Sequence, residues 1–110
     1  MNAARRADVA VVGLGAIGLP VCVNVAKAGF RVQGWNRTQE RGLRAADAGV
    51  ELLATLDDID APVILTALTD TPQLQAVLDA GLRAALRPGD ILVVLSTVLP
   101  SAVVQLGEDL

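Results

Sequence analysis

A glycine-rich turn, set between a short apolar run and an apolar helix, is the feature that most constrains this chain. Residues 9–12 are apolar and mostly β-branched, the pattern of a buried parallel strand. The spacing G-x-G-x-x-G follows directly over 13–18. An apolar helical segment then runs to Ala28, Gly29 stands where a helix-ending glycine belongs, and a second strand is predicted over 30–35. This order predicts a β–α–β unit within a parallel sheet.

The predicted helix carries apolar residues at spacings of four and three. These residues are Ile17, Val21, Val25 and Ala28, a spacing typical of a helix. Pro20 falls at or just past the first turn, so it costs at most one backbone hydrogen bond.

The glycines of the turn suit a bound pyrophosphate. Gly13 permits a tight turn, Gly15 lets a phosphate approach the backbone, and Gly18 lets the helix pack closely on the sheet. The helix start also offers N–H groups and a partial positive charge. The spacing arises by chance in other proteins, but its place between strand and helix predicts dinucleotide binding. The candidate cofactor-binding residues in the turn are Gly13, Leu14, Gly15, Ala16, Ile17 and Gly18.

The end of the second strand indicates which dinucleotide binds. NAD-specific sites usually place an Asp or Glu here, to bind the ribose 2′-hydroxyl. This chain has Asn36, Arg37 and Thr38, which are further candidate cofactor-binding residues. Arg37 can pair with a 2′-phosphate through two hydrogen bonds, and Thr38 can add a third. The sequence therefore favours NADP, with NAD possible; a solvated loop arginine is the alternative for Arg37.

The rest of the chain continues the alternation of strands and helices. Further strands are predicted over 50–52, 62–67 and 91–95, and helical segments over 39–48, 55–59 and 72–86. Thr38 is expected to cap the first of these helices, and Asp70 or Thr71 the last. The predicted fold is α/β, a Rossmann-type doubly wound parallel sheet of strand order 3-2-1-4-5, incomplete at its C-terminal end.

In such a sheet, ligands bind outside the carboxyl ends of the strands. The glycine turn, 36–38, Leu68-Thr69-Asp70 and Ser96-Thr97 should therefore converge on one crevice. The residues alone equally allow Ser96 and Thr97 to cap a following helix, which is expected to open at Pro100 and Ser101.

Composition excludes several classes of protein. The 110 residues allow one domain, and 53% hydrophobic residues with a mean hydropathy of +0.51 exclude disorder. A net charge of −3, no basic run and only two aromatic residues, Phe30 and Trp35, argue against nucleic-acid binding. With no histidine and one cysteine, no metal site is expected. Cys22 is expected to be buried, as suits a cytoplasmic protein.

Two further patterns have alternative interpretations. Arg5-Arg6 before the apolar run 9–26 resembles a signal peptide, but Asp8 and the glycines argue against it, and no membrane association is expected. Residues 1–7 are expected to form a polar, frayed lead-in. An acidic cluster, Asp57, Asp58 and Asp60, could bind a cation, although a solvated helix start is favoured.

Several of these residues together resemble the β-hydroxyacid dehydrogenases. This family includes 3-hydroxyisobutyrate dehydrogenase, tartronate semialdehyde reductase, glyoxylate/succinic semialdehyde reductase and 6-phosphogluconate dehydrogenase. The resemblance covers nearly the whole chain. The similar elements are 13–20, Asn24, Lys27-Ala28-Gly29, Asn36-Arg37-Thr38, Leu68-Thr69-Asp70 and Ser96-Thr97-Val98-Leu99-Pro100.

The resemblance implies roles that the residues alone leave open. Leu68 and Thr69 would lie beside the cofactor, and Thr97 near the nicotinamide. Ile17 and Val21 stand where the family has methionines, an exchange that we expect to be conservative within a core. The family also implies a small hydroxyacid or semialdehyde substrate and a homo-oligomeric full-length enzyme.

The same resemblance implies a further, helical domain with a lysine as general acid/base. Lys27, the only lysine, belongs to the predicted cofactor helix, so no catalytic residue is assigned and residues 1–110 are expected to be the cofactor domain. One alternative is a non-catalytic NADP(H)-binding sensor or interaction module. Another is a dehydrogenase of a different substrate class, such as a prephenate or nucleotide-sugar oxidising enzyme.

Overall fold

The computed structural model describes residues 5–68 and 71–95. These residues form one parallel sheet of five strands in the order β3-β2-β1-β4-β5, as predicted. The strands are β1 (Val9–Val12), β2 (Val32–Trp35), β3 (Glu51–Leu52), β4 (Val63–Thr66) and β5 (Ile91–Val94). The α-helices are α1 (Gly18–Lys27), α2 (Leu43–Asp47), α3 (Thr71–Val77) and α4 (Arg83–Ala85), with 3₁₀ turns at Gln39–Gly42 and Leu56–Asp58.

The central strand β1 and its two neighbours, β2 and β4, end at the same position along the sheet. Its last residue, Val12, is in register with Trp35 of β2 and with Thr66 of β4. The three segments that leave these strands therefore begin side by side. This register brings the glycine turn, the Arg37 segment and Leu68 to one edge of the sheet.

Alternate side chains of β1 enter two separate hydrophobic cores. Val11 packs with Leu14 and Cys22 on the face that α1 and α2 cover. Ala10 and Val12 pack on the opposite face, beneath α3 and the segment that follows it. Helices on both faces explain why β1 is apolar throughout rather than alternating, and they confirm the doubly wound arrangement.

The core position expected for Ile17 is wrong, whereas the close packing expected for Gly18 is confirmed and Val25 packs, partly buried, against the core on this side of the sheet. The buried residues of α1 are Gly18 and Cys22, while Ile17 is 59% exposed and Ala28 is exposed. The physical reason is the close contact of Gly18 with the glycine turn, where a side-chain Cβ would collide with the Gly13 carbonyl oxygen. The residue without a side chain must face the sheet, and this sets the rotation of the helix. Ile17 is thus not the core residue that the sequence suggested.

The helix predicted over 72–86 is interrupted. The α-helix α3 gives way to a kinked segment, Leu78–Leu82, in which Gly81 has a non-helical φ of +150°. The apolar spacing still holds, because Leu74, Val77, Leu78 and Leu82 are all buried. Periodicity alone does not reveal this kink, since the apolar residues on both sides of Gly81 keep their helical spacing.

Residues 5–7 are not the frayed lead-in that was expected. Arg5 is 6% exposed and its guanidinium bonds the carboxylates of Asp60 (2.6 Å) and Asp90 (2.8 Å) and the Ala61 carbonyl (2.9 Å). Arg87 also pairs with Asp60, at 3.3 Å. Hydrogen bonds from Arg5 lower the pKa of both carboxyls. This cluster ties the start of the chain to the amino ends of β4 and β5.

Other predicted elements hold with shifted ends. β2 begins at Val32 rather than at residue 30, and Phe30 is 54% exposed. Thr38 occupies the cap position of the Gln39–Gly42 turn, but its side chain makes no capping bond. Asp57 and Asp58 begin the Leu56–Asp58 turn, as the solvated-helix interpretation predicted. Asp60, by contrast, belongs to the Arg5 cluster.

Within 5–68 and 71–95, no helix is long and apolar enough to cross a membrane. Arg5, which resembled the charged start of a signal peptide, instead forms the ion pairs just described. The helix expected to open at Pro100 and Ser101 lies outside the described residues.

Candidate nucleotide-binding cleft

A cleft of about 580 Å³ lies at the carboxyl edge of the sheet, between the ends of β1, β2 and β4 and the start of α3. The chain changes from one face of the sheet to the other between β1 and β4, and crevices at such points bind ligands in open α/β sheets. Four predicted site residues line the cleft: Gly13, Gly15, Asn36 and Arg37. Leu68, a fifth, lines it as well.

The glycine turn is built without room for side chains. Gly13 has a φ of +97°, and a Cβ there would lie 2.5 Å from the Ala67 carbonyl oxygen. Gly13 therefore lets the end of β1 approach the end of β4 closely. A larger residue would push the two strands apart at the mouth of the cleft.

The backbone N–H groups of the turn fall into two sets. Gly13 donates to the Trp35 carbonyl at 2.8 Å, and Leu14 donates to Asn36 Oδ1 at 2.9 Å. Among the described residues, the N–H groups of Gly15, Ala16 and Ile17 find no acceptor. The first residues of α1 also lack a side-chain cap. Three consecutive donors at a helix start are thus available to an anion.

Leu14 and Asn36 are committed to the protein itself. The Leu14 side chain is 1% exposed in the α1 core, and its N–H is taken by Asn36. The Asn36 amide also donates through Nδ2 to the Thr38 carbonyl at 2.8 Å. Both residues are predicted to bind cofactor, whereas the hydrogen bonds that they form here are internal.

Arg37 is exposed and lines the cleft. Within the described ranges it forms no ion pair or hydrogen bond, whereas five other arginines each pair with a carboxylate: Arg5, Arg6, Arg31, Arg83 and Arg87. No Asp or Glu is among the described lining residues. The described lining thus presents the positive charge of Arg37 and no carboxylate. Thr38 is exposed beside it, outside the lining.

The sequence reasoning missed the wall that α3 provides. The lining residues not predicted are Trp35, Ala67, Pro72, Gln73, Ala76, Val77 and Ala80. A usable signal was present, since Gln73, Ala76 and Ala80 share one side of a helix that begins at the carboxyl edge. Small residues on that side leave space for a flat ligand group. Trp35 is half-buried and lines the cleft.

Two predicted site residues, Thr69 and Thr97, lie outside the described residues, as do Asp70 and Ser96. No group of three His, Cys, Asp or Glu side chains in the described part of the chain could hold a metal ion. Burial raises the pKa of the Cys22 thiol to about 11, which keeps it protonated and unreactive.

Fold and cleft together define the class: an NAD(P)-binding domain of the Rossmann type. Residues 8–110 match the family described as the NAD binding domain of 6-phosphogluconate dehydrogenase. The chain belongs to this family.

Similar proteins agree with this assignment. The chain is 34% identical over 107 residues to L-threonate dehydrogenase of Cupriavidus necator, covering 94% of this chain and 36% of that protein. A protein described as an oxidoreductase from Pseudomonas putida KT2440 is 27% identical with a TM-score of 0.87, covering 94% of this chain and 36% of that one. A reductive aminase from Aspergillus terreus, solved with NADPH and ethyl levulinate, is 25% identical with a TM-score of 0.82, at 93% and 36% coverage.

The chain spans little more than a third of the length of the curated relatives it matches. The matched region of this chain, 8–110, is the one that the family describes as an NAD binding domain. Dehydrogenases and reductases both occur among them.

Proposed function

We propose that this chain is the NADP(H)-binding part of an oxidoreductase that transfers a hydride between NADP and a small β-hydroxyacid or semialdehyde acid. The observation that carries the cofactor preference is Arg37, which is exposed at the cleft and has no partner among the residues that the structure describes. Since the other described lining residues include no carboxylate, nothing there would repel a 2′-phosphate. The fit to a pyrophosphate rests on the free N–H groups at 15–17.

The residues of this chain would bind and orient the cofactor. The N–H groups at 15–17 would hold the pyrophosphate, and Arg37, with Thr38 beside it, would hold the 2′-phosphate. The small side chains of Ala76 on α3 and of Ala80 in the Leu78–Leu82 segment would border the adenosine. Bound NADPH supplies the hydride, and the group that exchanges the substrate proton is proposed to lie in a further domain.

The substrate class rests on two supports of different kinds. One is the resemblance of 13–20, 36–38 and 96–100 to the β-hydroxyacid dehydrogenases. The other is the match to L-threonate dehydrogenase, a protein that by its name acts on a hydroxyacid. We include a cytoplasmic location in the proposal, in keeping with the free, buried thiol of Cys22. The homo-oligomer stays a prediction.

Replacing Arg37 by alanine should weaken NADPH binding about 10- to 100-fold, the loss expected for a charge-assisted pair of hydrogen bonds. NADH has no 2′-phosphate, so its affinity should change less than about twofold. Isothermal titration calorimetry with both nucleotides measures the two effects on one sample.

The matched control is Arg44→Ala, which removes the same charge from an exposed position on α2 that does not line the cleft. The affinities for NADPH and for NADH should both be unchanged in Arg44→Ala. An equal loss of NADPH and NADH binding in Arg37→Ala would contradict the assignment of Arg37 to the 2′-phosphate.

A further inference from the structure

The side chain of Asn36 links two loops that the sequence separates. Its Oδ1 accepts the N–H of Leu14, 22 residues away, at 2.9 Å. Its Nδ2 donates to the carbonyl of Thr38 at 2.8 Å. The first bond reaches the glycine turn, and the second closes the segment that carries Arg37. One planar amide thus joins the two halves of the cleft.

The chemistry of this position calls for an amide. One arm must accept a hydrogen bond and the other must donate one, which an aspartate of the same shape cannot do when ionised. A serine or threonine is too short to span both partners. The Leu14 N–H is partly buried, so it would be left without a partner if Oδ1 were removed, and burying an unsatisfied donor is unfavourable.

We propose that Asn36 is a positioning residue that fixes the distance between the pyrophosphate donors and Arg37. The inference rests on the proposed function, because it assumes that the free N–H groups at 15–17 and Arg37 bind the two phosphate-bearing parts of one NADP molecule. Asn36 acts through the backbone of Leu14 and Thr38 rather than on the cofactor. NADH and NADPH share the pyrophosphate, so both depend on it, whereas only NADPH depends on Arg37.

Three variants separate positioning from direct phosphate contact: Asn36→Ala, Asn36→Asp and Arg37→Ala. Asn36→Ala should weaken NADH and NADPH binding alike, by about tenfold, because it frees the glycine turn. Asn36→Asp keeps an acceptor for Leu14, so NADH affinity should stay within about threefold. NADPH affinity should fall more than tenfold in that variant, since the carboxylate repels the Thr38 carbonyl and the 2′-phosphate. Asn36→Ala weakening only NADPH, as Arg37→Ala does, would overturn the proposal.

A readout without nucleotide tests the link directly. Amide hydrogen exchange of Leu14 should be slow in the wild type and in Asn36→Asp, and at least about tenfold faster in Asn36→Ala. The Gly13 amide, bonded to the Trp35 carbonyl, is the internal control and should stay slow.

Unchanged Leu14 exchange in Asn36→Ala would overturn the link even if that variant bound nucleotide poorly. A wild type that binds neither nucleotide would instead refute the proposed function, while the exchange data still decide whether Asn36 holds the turn. Circular dichroism of Asn36→Ala guards against global unfolding, and Asn36→Asp then supplies the comparison in a folded variant.

Discussion

Replacing Arg5 by methionine is expected to lower the free energy of unfolding by roughly 3 kcal/mol, a large share of the stability of a domain this size. The guanidinium is 6% exposed and bonds two carboxylates, of which the Asp90 side chain is only 4% exposed. Methionine keeps the volume but removes the Arg5 hydrogen bonds from both carboxylates and from the Ala61 carbonyl, so that Asp60 and Asp90 keep their weaker contacts with Arg87. Urea unfolding followed by circular dichroism measures the change.

Arg6→Met is the matched control. Arg6 is the next residue and pairs with Glu51, but that pair is exposed at 68% and 40%, so only a small effect is expected. A loss in Arg6→Met as large as in Arg5→Met would contradict the role given to burial.

The dependence on pH gives this prediction a second readout. Arg5 lowers the folded-state pKa of Asp60 and Asp90. Stability from such groups is present above their unfolded pKa, about 3.9, and is lost as pH falls through the lower folded values. The stability gap between wild type and Arg5→Met should therefore narrow below about pH 4. A gap that widens there would show that the carboxylates are not the relevant partners.

Gly13→Ala should cost at least about 3 kcal/mol of stability and abolish measurable NADPH binding. Two effects combine: a φ of +97°, which alanine rarely adopts, and a Cβ placed 2.5 Å from the Ala67 carbonyl oxygen. The strands β1 and β4 must separate to relieve the contact, and they separate at the mouth of the cleft.

Gly49→Ala isolates the first effect. Gly49 has a similar φ of +93°, but nothing lies within 4 Å of a Cβ there. It should lose only about 1 kcal/mol and keep its NADPH affinity. If the two alanine variants were equally destabilised, the contact with Ala67 would have no energetic weight.

The strand order could be predicted because strands alternate with helical segments along the chain, and the crossovers of such a sheet are right-handed. The runs at 9–12 and 91–94 were recognisable as strands because they are wholly apolar. The position of the cleft could also be predicted, because parallel strands in register end at the same edge of the sheet. The prediction that failed was which residue at the start of α1 meets the sheet. Ile17 and Gly18 both suit a helix, and the turn in front of them decides which one meets the sheet.

Contacts between residues that are far apart in the sequence could not be predicted from local sequence patterns. Arg5 stands 55 and 85 positions from its two carboxylates, so nothing near it in the chain marks it as buried. The contact of Asn36 with Leu14 likewise joins distant residues. Asn36 is predicted as a cofactor ligand, but its side-chain amide forms hydrogen bonds between two loops. The need for glycine at position 81 could not be predicted either, because it depends on the distant Leu56–Asp58 turn. A Cβ on Gly81 would collide with Asp57.

Titration of the wild-type chain with NADPH and with NADH tests the central claim most directly. Trp35, the only tryptophan, lines the cleft, so its fluorescence reports binding, and calorimetry on the same samples supplies the affinities. We expect saturable binding of both nucleotides, at least about tenfold tighter for NADPH. Equal affinities would contradict the selection of NADP by Arg37, and no binding of either would contradict the nucleotide cleft itself.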